Sequence, residues 1–355
     1  MTHTSPATPP VNHITHRFTE LAATVRETGL LRRAYGFYSG YGAALALAFG
    51  GVVTGFVLLG ASWFQLLMAA ALGIVLTQVA FLGHEASHRT VFASGPANDR
   101  LGRILSAAVV GISHQWWMTK HSRHHANPNK RGADPDIEKD TISFVEEDAR
   151  EARGLIRWIT RRQGWLFFPL LTLEGLNLHY RSVASLVTVG SRRQRWTELP
   201  MIAAHFVVYL GAVFWVLPLG MAFAFVGVQM AVFGVYMGAS FAPNHKGMML
   251  VDADARLDFL SKQVLTSRNI RGGWAMSILT GGLNYQIEHH LFPNMARPHL
   301  GRAREIVREY CATHEVPYTE TSLIESYAIV IAYLNRVGLA ARDPFDCPER
   351  VAMGR

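Results

Sequence analysis

The chain has 355 residues, of which half are hydrophobic and only 17% charged, a balance that excludes an ordinary soluble globular protein and points to the membrane. The formal net charge of +8 suits anionic headgroups or an acidic partner docking on one face, rather than nucleic acid. Cys311 and Cys347 are the only cysteines, too few for a disulfide framework or a thiolate metal site and in keeping with a reducing compartment.

Residues 1–33, which include Pro6, Pro9 and Pro10, lack the apolar core of a signal peptide and are expected to form a mobile cytoplasmic tail leading into a basic amphipathic stretch. No Asp, Glu, Lys or Arg occurs between Arg33 and His84, nor from Leu199 to Asn244, so each run is long enough for two crossings of about 30 Å of hydrocarbon. Breaks near Gly60 and Pro218 divide them into four spans at about residues 38–60, 64–83, 199–218 and 221–243. Between the pairs, residues 105–118 predict a buried or interfacial helix, Asn127-Pro128-Asn129 and Gly132-Ala133-Asp134-Pro135 predict turns, and Trp165-Leu166-Phe167-Phe168-Pro169 predicts a segment lying in the interface. After the fourth span, residues 251–280 return to polar helix and turn, and residues 298–313 predict an amphipathic helix. The expectation is an all-α integral membrane protein, with four transmembrane helices in two hairpins under a cytoplasmic helical cap. The membrane domain would cover 34–320, and a C-terminal cytoplasmic helix and tail 321–355.

Orientation follows from charge. Arginines crowd the N-terminal segment (Arg17, Arg26, Arg32, Arg33), the middle segment (Arg157, Arg161, Arg162, Arg192, Arg193, Arg195) and the C-terminal region (Arg302, Arg304, Arg308), while the hairpin turns carry none. That places both termini and the polar segments in the cytoplasm.

Three histidine clusters sit just outside the spans: His84 and His88, then His121, His124 and His125, then His289 and His290 preceded by Gln286. Spacings of three and four project side chains from one helical face. Imidazole is a good ligand for iron, copper or zinc, and seven imidazoles exceed what one tetrahedral ion takes, so two ions are the economical inference. Gln286 is then either a weak oxygen ligand or a group orienting a ligand or a water. His245, which follows Asn244 at the end of the fourth span, is within reach as an eighth imidazole. The isolated His13, His16, His179, His205 and His314 read as satisfied polar or interfacial residues, whereas clustered titratable groups beside apolar spans would be costly without a role.

The clusters His-x3-His, His-x2-His-His and Gln-x-x-His-His, in this order and each after an apolar hairpin, resemble those of the integral-membrane fatty-acid desaturase family. The run Gly282-Leu283-Asn284-Tyr285-Gln286-Ile287-Glu288-His289-His290-Leu291-Phe292-Pro293 is similar to the branch that includes the front-end acyl desaturases. The resemblance covers most of residues 35–320 and extends to Pro298-His299, Cys311 and Val316-Pro317-Tyr318. It implies two iron ions held by His84, His88, His121, His124, His125, His289 and His290, with Gln286 at the position where that branch replaces histidine, and His245 similar to a further ligand of the wider family. It also implies O2 as co-substrate and an acyl-CoA or acyl-lipid substrate in an inner or plasma membrane, if the cell is bacterial. Eukaryotic front-end members often carry a fused cytochrome b5 domain with a His-Pro-Gly-Gly motif. This chain has no such motif, so electrons are expected from a separate ferredoxin, flavin reductase or cytochrome b5-like donor.

Glu85, Glu288, Asn244, Asp134 and Asp136 are expected to hydrogen-bond to the ligating groups rather than to bind metal, and Trp116, Trp117 and Tyr285 are candidate walls of an apolar substrate tunnel. Two other readings share the motifs: a membrane lipid hydroxylase or related oxygenase, and a non-catalytic membrane metal carrier. The carrier would place its ligands within the spans, whereas these clusters lie at their ends.

Overall fold

The computed structural model describes residues 12–341, so the expectation for residues 1–11 and the position of Cys347 lie outside the described residues, as do the side chains of His13 and His16. Helix α1 (Asn12–Glu27) precedes two long apolar helices, α2 (Tyr35–Leu59) and α3 (Gln65–Ser87). The short turn between them is tied by Gln65, whose amide donates to the carbonyls of Phe56 and Gly60 at 2.6 and 2.9 Å. The connecting segment forms α4 (Gly95–Arg103), a π-helical turn over Ile104–Val110, α5 (His114–Ala126), α6 (Glu146–Glu151), α7 (Gly154–Thr160), α8 (Gln163–Leu171) and α9 (Glu174–Thr188). A second apolar pair follows, α10 (Arg192–Val216) and α11 (Leu219–His245). The chain then closes through α12 (Phe259–Leu265), strand β1 (Asn269–Ile270), α13 (Gly273–Leu279), α14 (Gln286–Leu291), α15 (Arg297–Thr313), β2 (Glu320–Thr321) and α16 (Leu323–Leu339). Among the described residues, the secondary structure is helical apart from the two-residue parallel pairing of β1 with β2 and a single bridge between Lys130 and Val251, and α2, α3, α10 and α11 are long and apolar enough to cross a membrane.

Helices α3 and α11 form the centre. Gly73 permits their close approach, since a Cβ there would lie 2.9 Å from the Gln229 carbonyl oxygen. Further along, Gln78 donates to the Tyr236 hydroxyl at 2.6 Å and the His84 ring lies 6.3 Å from Phe241, so the two helices run parallel and deliver His84 and His245 to the same side. Both outrun the apolar segments read from sequence. The polar residues that mark a membrane boundary do not interrupt the backbone ladder, and α3 carries the first histidine pair on its own last turn, with His88 as its cap.

The helix expected over residues 105–118 is instead divided. Gly111 adopts a left-handed conformation (φ 87°) and Ser113 caps α5 by accepting from the Trp116 amide. The carbonyls left open by the π-helical turn are taken by isolated histidines: the His179 ring reaches the Val110 oxygen at 3.0 Å, and His205 bonds to Ala108 and Val109.

The segment expected to lead out of an N-terminal tail belongs to the cap. Leu21 and Val25 on α1 are fully buried among Leu260, Val264, Ile287 and Leu291, the last two of which flank the third histidine pair. Helix α16 is likewise internal, with Val330 and Leu334 buried against Phe167, Leu171 and Ala242.

Candidate metal centre

Four pieces of chain converge on one point below the ends of α3 and α11. The first supplies His84 and His88, α5 supplies His121, His124 and His125, α11 ends on His245, and α14 supplies Gln286, His289 and His290. Their ring nitrogens sort into two groups, in each of which the nitrogens lie within 4.8 Å of one another: His84, His88, His121, His125 and His289, and beside them His124, His245 and His290. The rings of His125 and His290 stack at 4.2 Å and 11° across the boundary between the groups.

Tautomers decide what the three-membered group can do. The Nδ1 atom of each ring faces an oxygen acceptor: Asp134 behind His124 at 3.0 Å, the Thr266 carbonyl behind His245 at 2.9 Å, and the Gln263 side-chain oxygen behind His290 at 2.9 Å. Each Nδ1 therefore carries the hydrogen and each Nε2 presents a lone pair inward. The Nε2 atoms of His124 and His245 are 3.2 Å apart, a repulsive approach of two lone pairs unless a cation lies between them or a proton is added. In the five-membered group the Nε2 atom of His121 lies 2.9 Å from that of His84 and 2.7 Å from that of His88, although one nitrogen can share at most one hydrogen. Nε2 of His289 and His290 and both nitrogens of His125 are buried with no hydrogen-bond partner. Buried imidazole nitrogens that face one another without a hydrogen-bond partner are a donor set for a shared cation, and in two groups they fit two ions of a metal that accepts nitrogen ligands.

Charge agrees with this. Burial holds the rings of His121, His125, His289 and His290 well below their usual titration range, and that of His88 at about 4, so at neutral pH these imidazoles are uncharged, the form in which an imidazole can bind a metal. His124 differs: burial acts downward there too, but the charge of Asp136 and the bond and charge of Asp134 outweigh it and raise the pKa.

The remaining sequence expectations divide. Asp134 holds His124 and is itself fixed by the amides of Asn129 (2.7 Å) and Asp136 (2.9 Å), while Asp136 Oδ2 stands 3.4 Å from His124 Nδ1. Glu85 does not bond an imidazole. It makes a bidentate pair with buried Arg297 at 2.9 and 2.6 Å and accepts from Tyr38. Glu288 also turns away, accepting from Asn269 at 2.7 Å and Tyr318 at 2.8 Å, with burial pushing its carboxyl up to about 7. The reason is rotational: neighbours in a helix are about 100° apart, so a carboxylate next to a histidine of the cluster faces another side. Asn244 donates to Gln286 Oε1 at 3.2 Å, leaving Gln286 Nε2 2.9 Å from His245 Nε2.

Trp117 stacks on His121 at 4.9 Å and 18° and lines a cavity of about 400 Å³ that reaches His121, His124, His245 and Gln286. The cavity's wall is apolar, from Phe167, Leu171, Leu178, Met237 and Phe241, and its rim carries Lys120, Glu138 and Asp140. A smaller cavity of about 30 Å³ against His84 shares Trp117, Met237 and Phe241 with it. Trp116 lines neither; it packs on the core between the long helices, and Lys120 lies 5.9 Å above its ring. Tyr285 is part of the cap core beside Gly301 rather than a cavity wall. Gln263, Arg268, Asn269 and Arg297 went unnoticed in the sequence, where nothing in their local pattern distinguishes them from ordinary polar residues.

The family model for fatty acid desaturases matches residues 61–322. The chain belongs to the fatty acid desaturase family. A delta(8)-fatty-acid desaturase of Helianthus annuus is 26% identical over 94% of this chain and 75% of its own length. An acyl-lipid (9-3)-desaturase of Physcomitrium patens is 29% identical over 78% of this chain and 54% of its own. An acyl-lipid 8-desaturase of Rebecca salina is 30% identical over 69% and 57%. The desaturase thus spans three quarters of the first relative and little more than half of the other two. It is an oxidoreductase of acyl lipids, and these names favour neither hydroxylation nor metal carriage.

Proposed function

We propose that this desaturase forms a carbon–carbon double bond in an acyl chain at two iron ions, using O2 and two electrons from a separate donor protein. The observation that carries the reading is the pair of facing imidazole groups at the floor of an apolar cavity. His84, His88, His121, His125 and His289 would hold one ion, His124, His245 and His290 the other, with Gln286 beside the second. The bound metals supply the one chemistry no side chain can, activation of O2 to an oxidant that removes hydrogen from an unactivated methylene.

The protein's own residues do the rest. Asp134, the Thr266 carbonyl and Gln263 keep hydrogens on Nδ1, so that Nε2 stays available. Phe167, Leu171, Leu178, Met237 and Phe241 exclude water and hold the acyl chain in extended contact. Trp117, fixed by its stack on His121, limits how far the chain slides, and a shift of one carbon changes the product. At the rim, Lys120 is neutralised by Asp136 at 2.8 Å, so it orders the cavity mouth without presenting free charge. The overall change is balanced as a CH2–CH2 pair, O2, two electrons and two protons giving CH=CH and two waters.

The distribution of arginine supports a cytoplasmic location for the imidazole groups, next to a reduced donor protein. The test is a mass-spectrometric fatty-acid profile, with double bonds located by derivatisation, of cells expressing the intact chain beside cells expressing His125→Ala. A new unsaturated acid confined to the intact chain is expected. A new hydroxy acid instead would assign oxygenation.

A further inference from the structure

The two imidazole groups are held in different ways. In the five-membered group rings lie against rings, with His84, His88, His121, His125 and His289 in mutual edge or tilted contact. In the three-membered group every ring is fixed from behind by an acceptor, and two of the three acceptors, Gln263 and the Thr266 carbonyl, belong to one short stretch that supplies no candidate ligand. The same stretch ends in Arg268 and Asn269. Asn269 accepts from the Ile287 amide at 2.9 Å and donates to Glu288, anchoring the start of α14.

Arg268 is 1% exposed, and none of its hydrogen-bond acceptors is a carboxylate. Its guanidinium donates to the carbonyls of Pro243 and Lys246 and to the Ser326 hydroxyl, and its amide donates to the Asn244 carbonyl at 2.8 Å. The three carbonyl oxygens belong to the C-terminal end of α11, where the helix dipole is negative and a buried cation is stabilised. The end needs outside support because Pro243 has no N–H. The Ala239 oxygen left open accepts instead from Tyr327 at 2.9 Å, and Ser326 donates to the Pro243 oxygen at 2.7 Å. The turn that carries His245 is therefore held by α16 and by Arg268 as much as by its own helix. Gln263, fully buried, adds a second tie, accepting from His290 while donating to the His125 carbonyl at 2.9 Å.

Resting on the two-metal reading above, we propose that Arg268 and Gln263 are positioning residues for the three-imidazole site, which makes that site separable: without either residue the protein loses the ion at His124, His245 and His290 and keeps the ion at the five-imidazole site. Neither residue touches a metal, and each acts through a ligand's orientation.

The experiment is metal content per chain, with Mössbauer spectra, of the full-length protein grown on 57Fe and purified in detergent. Arg268→Met and Gln263→Leu are measured beside the intact chain, and Arg268→Lys is included as the conservative rescue. Iron is expected to fall by about half in Arg268→Met and Gln263→Leu, with loss of one of two spectral components, and to recover partly in Arg268→Lys. Full retention of both ions, or parallel loss of both in folded protein, overturns the proposal. Gln263→Leu decides the matter should Arg268→Met fail to fold by circular dichroism and size exclusion. An intact chain that binds a single ion instead overturns the two-metal reading beneath it.

Discussion

Asp134 shows how much a single residue outside the histidine motifs can do. It is completely buried, its two oxygens accept from the Asn129 and Asp136 amides, and both lie within 3.1 Å of His124 Nδ1. A carboxylate in that place fixes the tautomer and increases the electron density at the far nitrogen. Asp134→Asn keeps the shape but replaces the charge, and the amide can present N–H to the ring as readily as oxygen. Metal affinity is expected to fall by about 10- to 100-fold, measured by competition with a chelator of known affinity, while the helical circular-dichroism signal stays unchanged. Position within a helix also accounts for the aromatic neighbours. Trp117 stands four residues before His121 and so shares its face, whereas Trp116 stands four before Lys120 and is carried to the other side.

At the scale of elements, the cavity depends on helices that approach more closely than side chains allow. A Cβ on Gly234 of α11 would fall 2.4 Å from the Leu171 carbonyl oxygen and 2.5 Å from the Gly175 nitrogen, and one on Gly175 would fall 2.4 Å from the Met230 carbonyl oxygen. All of these are backbone atoms, so no rotamer change relieves the clash and α8 and α9 would have to move away from α11. Gly234→Ala is expected to destabilise the protein by about 1–3 kcal/mol, seen as a lower melting temperature in detergent. A melting curve unchanged by the substitution would mean that the helices do not meet there. Leu171 and Leu178 line the cavity from the moving side, so the same change should broaden the distribution of double-bond positions in the product.

For the whole molecule, local period carried most of what the sequence revealed. Two uncharged runs, each broken once, marked α2 and α3 and then α10 and α11, and i, i+3 and i+4 spacings marked the faces that meet at the centre. What stayed hidden depends on contacts distant in sequence: Arg297 with Glu85, Arg268 with Pro243, Gln263 with His125 and α1 with α12. No periodicity records such pairings. The arrangement of the molecule across the bilayer is the remaining consequence of charge, and it can be tested directly. Ala61 lies in the turn between α2 and α3, and Arg302 is an exposed residue on α15, in the cap beyond the last span. In a background of Cys311→Ala and Cys347→Ser, single cysteines are placed by Ala61→Cys or Arg302→Cys and probed in intact cells with a membrane-impermeant maleimide. The arginine asymmetry predicts that the thiol at position 61 is labelled from outside, while the thiol at position 302 reacts only after the membrane is opened. The reverse pattern would place the metal centre outside the cytoplasm, away from a cytosolic electron donor. Labelling of both from the same side would mean that α3, α10 and α11 do not all cross, and the histidines at the end of α3 would then have no membrane-fixed relation to His245 at the end of α11.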